Sequence, residues 1–424
     1  VGLFALASAW CGLATTIGQL IVARGVQGVG GALLIPGSLA IISASFTNEQ
    51  RGGAIGLWSG FTAITSAIGP VLGGWLIETF SWRWIFLINL PLAAVVLVIS
   101  LGLVPESRDV EASKLDWWGA LLAVTGLGSI VYGLLESASA GFSPIVVGAL
   151  ALGTVVLGLF FWIESRLASP MMPLSLFRCR TFSGANLLTL LLYSALGGAL
   201  FFLPFNLIQV QGYSATAAGA ALVPFPIIMF LLSRWSGGLV SRYGARLPLM
   251  IGPALAAVGF GLMTLPDIGG SYWTTFFPAV VVLGLGMAIC VAPLTTAVMN
   301  AVKVRNVGVA SGVNNAISRI ASLLALAVLG IVMLNTFNHC LERLMAPLQL
   351  STDVQAFLAT QRVNLAAAAM PPGLKPEVEA ALKGALAAAF VSGFRLVMWI
   401  AVGLASASAI TAALMIERRR KFSP

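Results

Sequence analysis

The chain has 424 residues, 59% of them hydrophobic and 9% charged, with a mean hydropathy of +0.99. Soluble domains carry about 25% charged residues, so the class is a polytopic, all-α membrane protein. The apolar runs are long and unbroken, which excludes a β-barrel, and the net charge of +9 sits in short loops between them, which argues against a nucleic-acid partner.

Twelve apolar spans are predicted, over about residues 1–16, 17–46, 54–77, 83–104, 117–137, 143–164, 183–208, 214–236, 247–265, 273–301, 307–334 and 387–416. Val1 is not an initiator and the first apolar run starts at once with no basic flank, so the chain is expected to be truncated at its front. The second span carries Leu20-Ile-Val-Ala-Arg24-Gly-Val-Gln27-Gly28-Val-Gly-Gly-Ala32. An arginine inside an apolar helix is costly and needs a polar partner, which makes Arg24 a functional candidate. Gln27 and Gly28, three and four positions on, are expected on its face.

The third span holds Gly60, then Gly69-Pro70-Val71-Leu72-Gly73-Gly74. Gly and Pro weaken a helix, and in a membrane they persist where neighbouring helices pack close. Ser81-Trp82-Arg83-Trp84 fits an outer aromatic belt. Pro105-Glu106-Ser107-Arg108-Asp109 is a charged, turn-rich connection before two further spans. On the seventh span Asn186, Tyr193, Asn206 and Gln209 form a polar series, and on the eleventh Asn315, Arg319 and Ser322 share a face. Either series could line a wet cavity or join helices by hydrogen bonds. Between spans eight and nine, Gly238 and Gly244 suit a tight turn, and Arg242 and Arg246 could cap helix C-terminal carbonyls or serve as topogenic charges. The connection 335–389 is long, Ala-rich and outside by parity, and is expected to be part helix and part irregular.

Basic residues fall in alternate connections: Arg51, Arg108, Lys114, Arg166, Arg178, Arg180, Arg242, Arg246, Lys303, Arg305 and Arg418-Arg-Arg-Lys421. By the positive-inside rule both ends of the chain are cytoplasmic. Gly28-Val-Gly-Gly-Ala32, Pro36, Arg51 and Gly53-Ala-Ile-Gly56 recur loosely as Gly284-Leu-Gly-Met-Ala288, Pro293, Arg305 and Gly308-Val-Ala-Ser-Gly312. Such a repeat implies two related bundles in one orientation. The four cysteines are scattered, with no metal-ligand spacing, and no nucleotide-binding motif appears, so no cofactor or metal is expected.

The Arg24 string, the Gly60/Gly69-Pro70/Gly73-Gly74 pattern, the Trp82-Arg83-Trp84 string and the loop from Gly237 to Arg246 together resemble the major facilitator superfamily. Two spans between the bundles place the resemblance in its fourteen-span drug:proton antiporter branch. It covers essentially the whole chain. It implies a major facilitator fold of two parallel-related six-helix bundles plus two central spans. Residues 1–108 would be four of six spans of the N-terminal bundle, 109–165 the two central spans, and 166–424 the C-terminal bundle with its outer loop 335–389. It also implies proton-coupled export of small amphipathic or drug-like molecules across the cell membrane, with no enzyme activity. Arg24, Gln27 and Gly28 would lie near the proton pathway, and Gly60, Gly69, Pro70, Gly73 and Gly74 would form the antiporter motif, packed on the other half. Gly238, Arg242, Gly244 and Arg246 would form a cytoplasmic loop motif, and Asn186, Tyr193, Asn315 and Arg319 would reach the cavity. Ser241 replaces the family's acid in that loop, which weakens a charge-relay reading there. The partners implied are substrate, protons and lipid, and a periplasmic adaptor protein stays open. An importer or uniporter on the same fold, or a non-transporting truncated protein, are the alternatives.

Overall fold

In the computed structural model the described residues are 1–104, 116–167, 170, 172–303, 306–348, 350–371 and 374–417, and they contain helices and turns but no strand. In chain order the helices are α1 (Gly2–Leu13), α2 (Ile17–Ser45), α3 (Asn48–Thr79), α4 (Trp84–Leu87), α5 (Asn89–Leu103), α6 (Trp117–Ala140), α7 (Pro144–Glu164), α8 (Arg180–Phe205), α9 (Ala215–Leu222), α10 (Pro224–Tyr243), α11 (Arg246–Leu262), α12 (Phe276–Asn300), α13 (Val307–Met345), α14 (Thr352–Gln361) and α15 (Pro376–Met415). Every one of the twelve expected spans contains a helix. Among the described residues, nine helical stretches are long and apolar enough to cross a membrane, and α1 and α11 are shorter apolar helices.

Side chains mark several starts. Thr16, Asp116, Ser143 and Ser214 each accept a hydrogen bond from a backbone N–H in the first turn of α2, α6, α7 and α9, which satisfies donors that a helix start leaves orphaned. The long connection is more helical than its composition suggested. α13 continues to Met345 instead of ending near 334, and α15 begins at Pro376 instead of 387. Pro376 at the first position, Glu377 and Glu379 in the first turn, and a Lys383–Glu379 ion pair of 2.6 Å all favour that early start. The stretch from 346 to 375 that remains is anchored, with Leu358 and Ala368 in the apolar core.

α1 packs on α2, α4 and α5, while α8, α10, α11, α12, α13 and α15 pack on one another. α6 and α7 form a hairpin that leans on α13. Among the described residues, the main contacts of α2 and α3 with the second group are α3 with α10, α3 with α12, and α2 with α13. The second group holds most of the core, including Phe182, Phe260, Phe276, Phe337, Phe390 and Phe394. Large apolar side chains such as Leu6, Leu33 and Leu101 project outward from the first, as expected of a surface covered by lipid. The boundary between residues 108 and 109 lies outside the described residues.

Candidate functional site

The two groups meet along a seam of small residues. Gly52, Gly56 and Gly60 repeat every four residues, so they line one face of α3. A Cβ on Gly52 would strike the Gly237 carbonyl oxygen, and one on Gly56 would strike the Ser233 carbonyl oxygen and come within 3.0 Å of the Gly237 Cα. One on Gly60 would lie 2.6 Å from the Ser233 Cβ. Only glycine permits this approach of two helix backbones. Arg51 closes the same end. It is buried, its Nη2 donates to the Ser43 carbonyl at 2.8 Å, and its Nη1 donates to Asn300 Oδ1 on α12 at 3.1 Å. The sequence placed Arg51 in a solvated loop. It instead lies in the first turn of α3 and ties α2, α3 and α12 together.

The antiporter-motif glycines were expected to pack on the other half. Gly60 does, but a Cβ on Gly69 or Gly73 would meet nothing within 4 Å. Phe61 still meets the Phe230 ring of α10 edge-on at 5.6 Å, and farther along α3 Ile68 and Trp75 are exposed. Pro70 and Gly74 belong to the α3 helix, and their side-chain positions lie outside the described residues.

Where α3 leaves α10, a cavity of about 720 Å³ opens between the groups. Its walls come from evenly spaced residues: Trp58, Thr62 and Ser66 of α3, Met287, Val291, Thr295 and Met299 of α12, and Asn314, Asn315, Ser318, Arg319 and Ser322 of α13. Tyr193 of α8 and Phe225 and Met229 of α10 complete it. A step of four carries each series along one helix face. Most of its polar groups are engaged locally. The Thr62, Thr295, Ser318 and Ser322 hydroxyls donate to carbonyls in their own helices. Asn315 donates to the Ser311 carbonyl at 2.9 Å. Asn314 Nδ2 donates to Asn186 Oδ1 at 3.1 Å and Thr189 Oγ1 at 2.8 Å, fixing α13 to α8.

Tyr193, Asn315 and Arg319 therefore reach the cavity as expected, and Asn186 stands behind the wall as a buried helix-to-helix link. Sequence reasoning missed Asn314, Trp58 and the three methionines. Asn314 carried a signal, as the neighbour of Asn315 in a polar pair. The methionines carried none, because a methionine in an apolar span reads as filler.

Arg24 is exposed, and Gln27 beside it is buried. Arg24 Nη1 donates to Gln27 Oε1 at 2.5 Å, and Gln27 Nε2 donates to Ser8 Oγ on α1 at 2.6 Å. The guanidinium also lies 5.7 Å from the Phe86 ring centroid, within cation–π range. Arg24 thus lies on the open side of α2, and Gln27 ties it to α1. Gly28 is exposed with open space around it, whereas a Cβ on Gly30 would sit 2.8 Å from the Phe4 nitrogen. Gly28 is thus not the glycine of close approach.

In the loop motif Gly244 takes φ +77° and its N–H bonds the Val240 carbonyl, which ends α10. Gly238 lies inside α10 in open space, so the turn is made without it, and the buried neighbour at the seam is Gly237. Arg246 donates to the Ala413 carbonyl and Arg180 to the Leu414 carbonyl at 3.4 Å, near the end of α15. Helix-end capping is the role that Arg246 has here. Arg242 lies 5.3 Å from the Tyr243 ring centroid.

The chain is similar to several curated proteins. It is 35% identical over 349 residues to the multidrug resistance protein Stp of Mycobacterium tuberculosis, a match covering 81% of this chain and 64% of that protein. The chain thus spans a little under two thirds of that relative's length. It is 30% identical over 426 residues to the tetracenomycin C resistance and export protein of Streptomyces glaucescens, covering 99% of this chain and 78% of that protein. It is 33% identical over 342 residues to the methylenomycin A resistance protein of Streptomyces coelicolor, covering 79% and 71%. A solved bacterial homologue of the human lysosomal transporter Spinster aligns over 97% of this chain and 80% of its own, at 18% identity and a TM-score of 0.48. The family model for the Major Facilitator Superfamily matches residues 1–326. With that match over most of its length, the chain belongs to the major facilitator superfamily, a family of membrane transporters and not of enzymes.

Proposed function

We propose that this chain forms most of a proton-coupled exporter of amphipathic, drug-like molecules, working by alternating access in the cell membrane. The observation that supports this best is the cavity between the two helix groups, closed at one end by the Gly52–Gly56–Gly60 seam. Its volume of about 720 Å³ lies within the ~300–1,000 Å³ usual for small-molecule sites. The names of the relatives, which speak of resistance and export, favour outward movement. The basic residues Arg51, Arg242 and Arg246 flank the seam end, which the positive-inside rule assigns to the cytoplasm together with both chain ends. On that orientation this conformation is closed to the cytoplasm and accessible from outside.

Residues 1–108 would form the unit before the central hairpin, 109–165 the hairpin and 166–424 the unit after it, a division that the packing of the helices supports. Arg24 and Gln27 would sit beside the proton pathway, with Gly28 serving only as spacer. The glycines at 60, 69, 73 and 74, with Pro70, would act in the transition between states: Gly60 is engaged now, and Gly69 and Gly73 have open space in which to engage when the seam opens. Flux in membrane vesicles tests the function. Cells producing the full-length protein should yield inverted vesicles that accumulate a fluorescent amphipathic substrate when the lumen is acidified. An uncoupler should abolish that accumulation. Equal flux with and without the pH gradient would support a facilitator instead.

A further inference from the structure

The charge of the cavity carries an inference about what it binds, resting on the reading of that cavity as the substrate site. Among the described residues that line it, Arg319 is the one charged side chain, and no Asp or Glu accompanies it. It donates no hydrogen bond and makes no ion pair among the described residues, and it is exposed to the cavity space. An arginine at this depth in an apolar bundle costs free energy unless an anion or acceptor meets it.

Among the described residues, none of the polar groups around it accepts a hydrogen bond from the guanidinium, and most of their own donors are turned away. The cavity hydroxyls of Ser318 and Ser322 and the Asn315 amide are held by backbone carbonyls of their own helices. Asn314 is held by Asn186 and Thr189. The donors left free include the Arg319 guanidinium and the Tyr193 phenol, which stand on facing helices of one wall, and the Ser59 hydroxyl on α3. A guanidinium carries five N–H donors in a planar fork that matches a carboxylate in two-point contact. The remaining lining is largely apolar, with aliphatic side chains such as Leu39 and Leu196 beside Trp58, Phe225 and the methionines. Such side chains accept varied apolar bodies.

We propose that the cavity selects amphipathic organic anions, with a carboxylate or similarly acidic group paired to Arg319 and hydrogen-bonded by Tyr193, and the apolar body lying against Trp58 and the methionines. Three pyrene probes of matched body test this: 1-pyrenebutyrate, the neutral 1-pyrenebutanol, and a 1-pyrenebutyl trimethylammonium salt. Binding would be measured by equilibrium dialysis against this chain in nanodiscs of zwitterionic lipid, with empty nanodiscs subtracted.

The butyrate is expected to bind about tenfold tighter than the alcohol, as a charge-assisted hydrogen bond provides, and the ammonium more weakly than either. Arg319→Gln should erase the tenfold preference, and an unchanged unfolding temperature would report that the variant is folded. Arg319→Lys should retain part of it. Tighter binding of the ammonium, or an unchanged preference in Arg319→Gln, would overturn the proposal. If none of the probes binds, the proposal falls together with the cavity as a ligand site. If the preference holds but vesicles of the full-length protein move none of the probes, the export reading fails and the selectivity stands.

Discussion

At Arg24 and Gln27 the membrane has separated charge from anchorage. Arg24 is exposed and keeps its charge at the helix surface, while Gln27 is buried at 3% exposure and reaches both Arg24 and Ser8. The buried amide is the costlier group to strip of partners. Gln27→Leu is therefore expected to lower stability by about 1 kcal/mol, because it leaves Arg24 without its acceptor and Ser8 without its donor between α1 and α2. Arg24→Ala is expected to cost less than that. Thermal unfolding of both variants in one detergent gives the order, and a larger loss for Arg24→Ala would make the arginine the anchor. The residue types of this site were legible, since an intramembrane arginine stands out in any apolar run. Which neighbour turns inward was not. Gln27 and Gly28 are adjacent, so about 100° separates them on the helix, and only one of the two can share the buried face.

At the level of the element, α3 combines two glycine patterns with opposite surroundings. Gly52, Gly56 and Gly60 press on α10, and Gly69 and Gly73 have open space. A side chain at Gly56 would collide with the backbone of Ser233 and Gly237, which cannot swing aside. Gly56→Leu is expected to destabilise this conformation by about 1–3 kcal/mol, the usual cost of overpacking. Gly69→Leu should leave it within experimental error. Spin labels at the exposed Thr47 and Ser241 would read the seam as a distance distribution. A broadened or lengthened distribution is expected for Gly56→Leu and an unchanged one for Gly69→Leu, and identical traces would dissolve the distinction. Helix positions were largely readable from apolar length, and all twelve expected spans contain helices. The packing partners were not, because a helix apolar all round shows no preferred face from which its neighbour could be inferred. The outer ends of α13 and α15 were also misjudged, since their Ala-rich and charged turns read as loop by hydropathy and as helix by propensity and capping.

For the whole molecule the question is what holds two helix groups closed at one end while they part at the other. The glycine seam supplies close packing. Arg51 supplies a polar latch, because it hydrogen-bonds across that end to Asn300 on α12. The latch was hidden in the sequence behind the positive-inside rule, which explains Arg51 without giving it a partner. Its place in the internal repeat, matched by Arg305, was the one sign of a structural role, and Arg305 lies outside the described residues. A hydrogen bond from a charged group contributes about 1.5–3 kcal/mol. If alternating access is a two-state equilibrium, losing that much on one side shifts the populations by roughly ten- to a hundredfold. Part of the Arg51 binding energy goes to the Ser43 carbonyl within its own group. Asn300→Ala is therefore the cleaner variant, since it removes only the contact between the groups. It is expected to raise the population open at the seam end about tenfold, with little change in unfolding temperature. Arg51→Ala is expected to do the same and to lower the unfolding temperature as well, because it also frees α2 from α3. The same Thr47–Ser241 distance measurement reads both. A long-distance population that grows in Arg51→Ala and not in Asn300→Ala would place the latch within the first group, and the seam glycines alone would then hold the halves together.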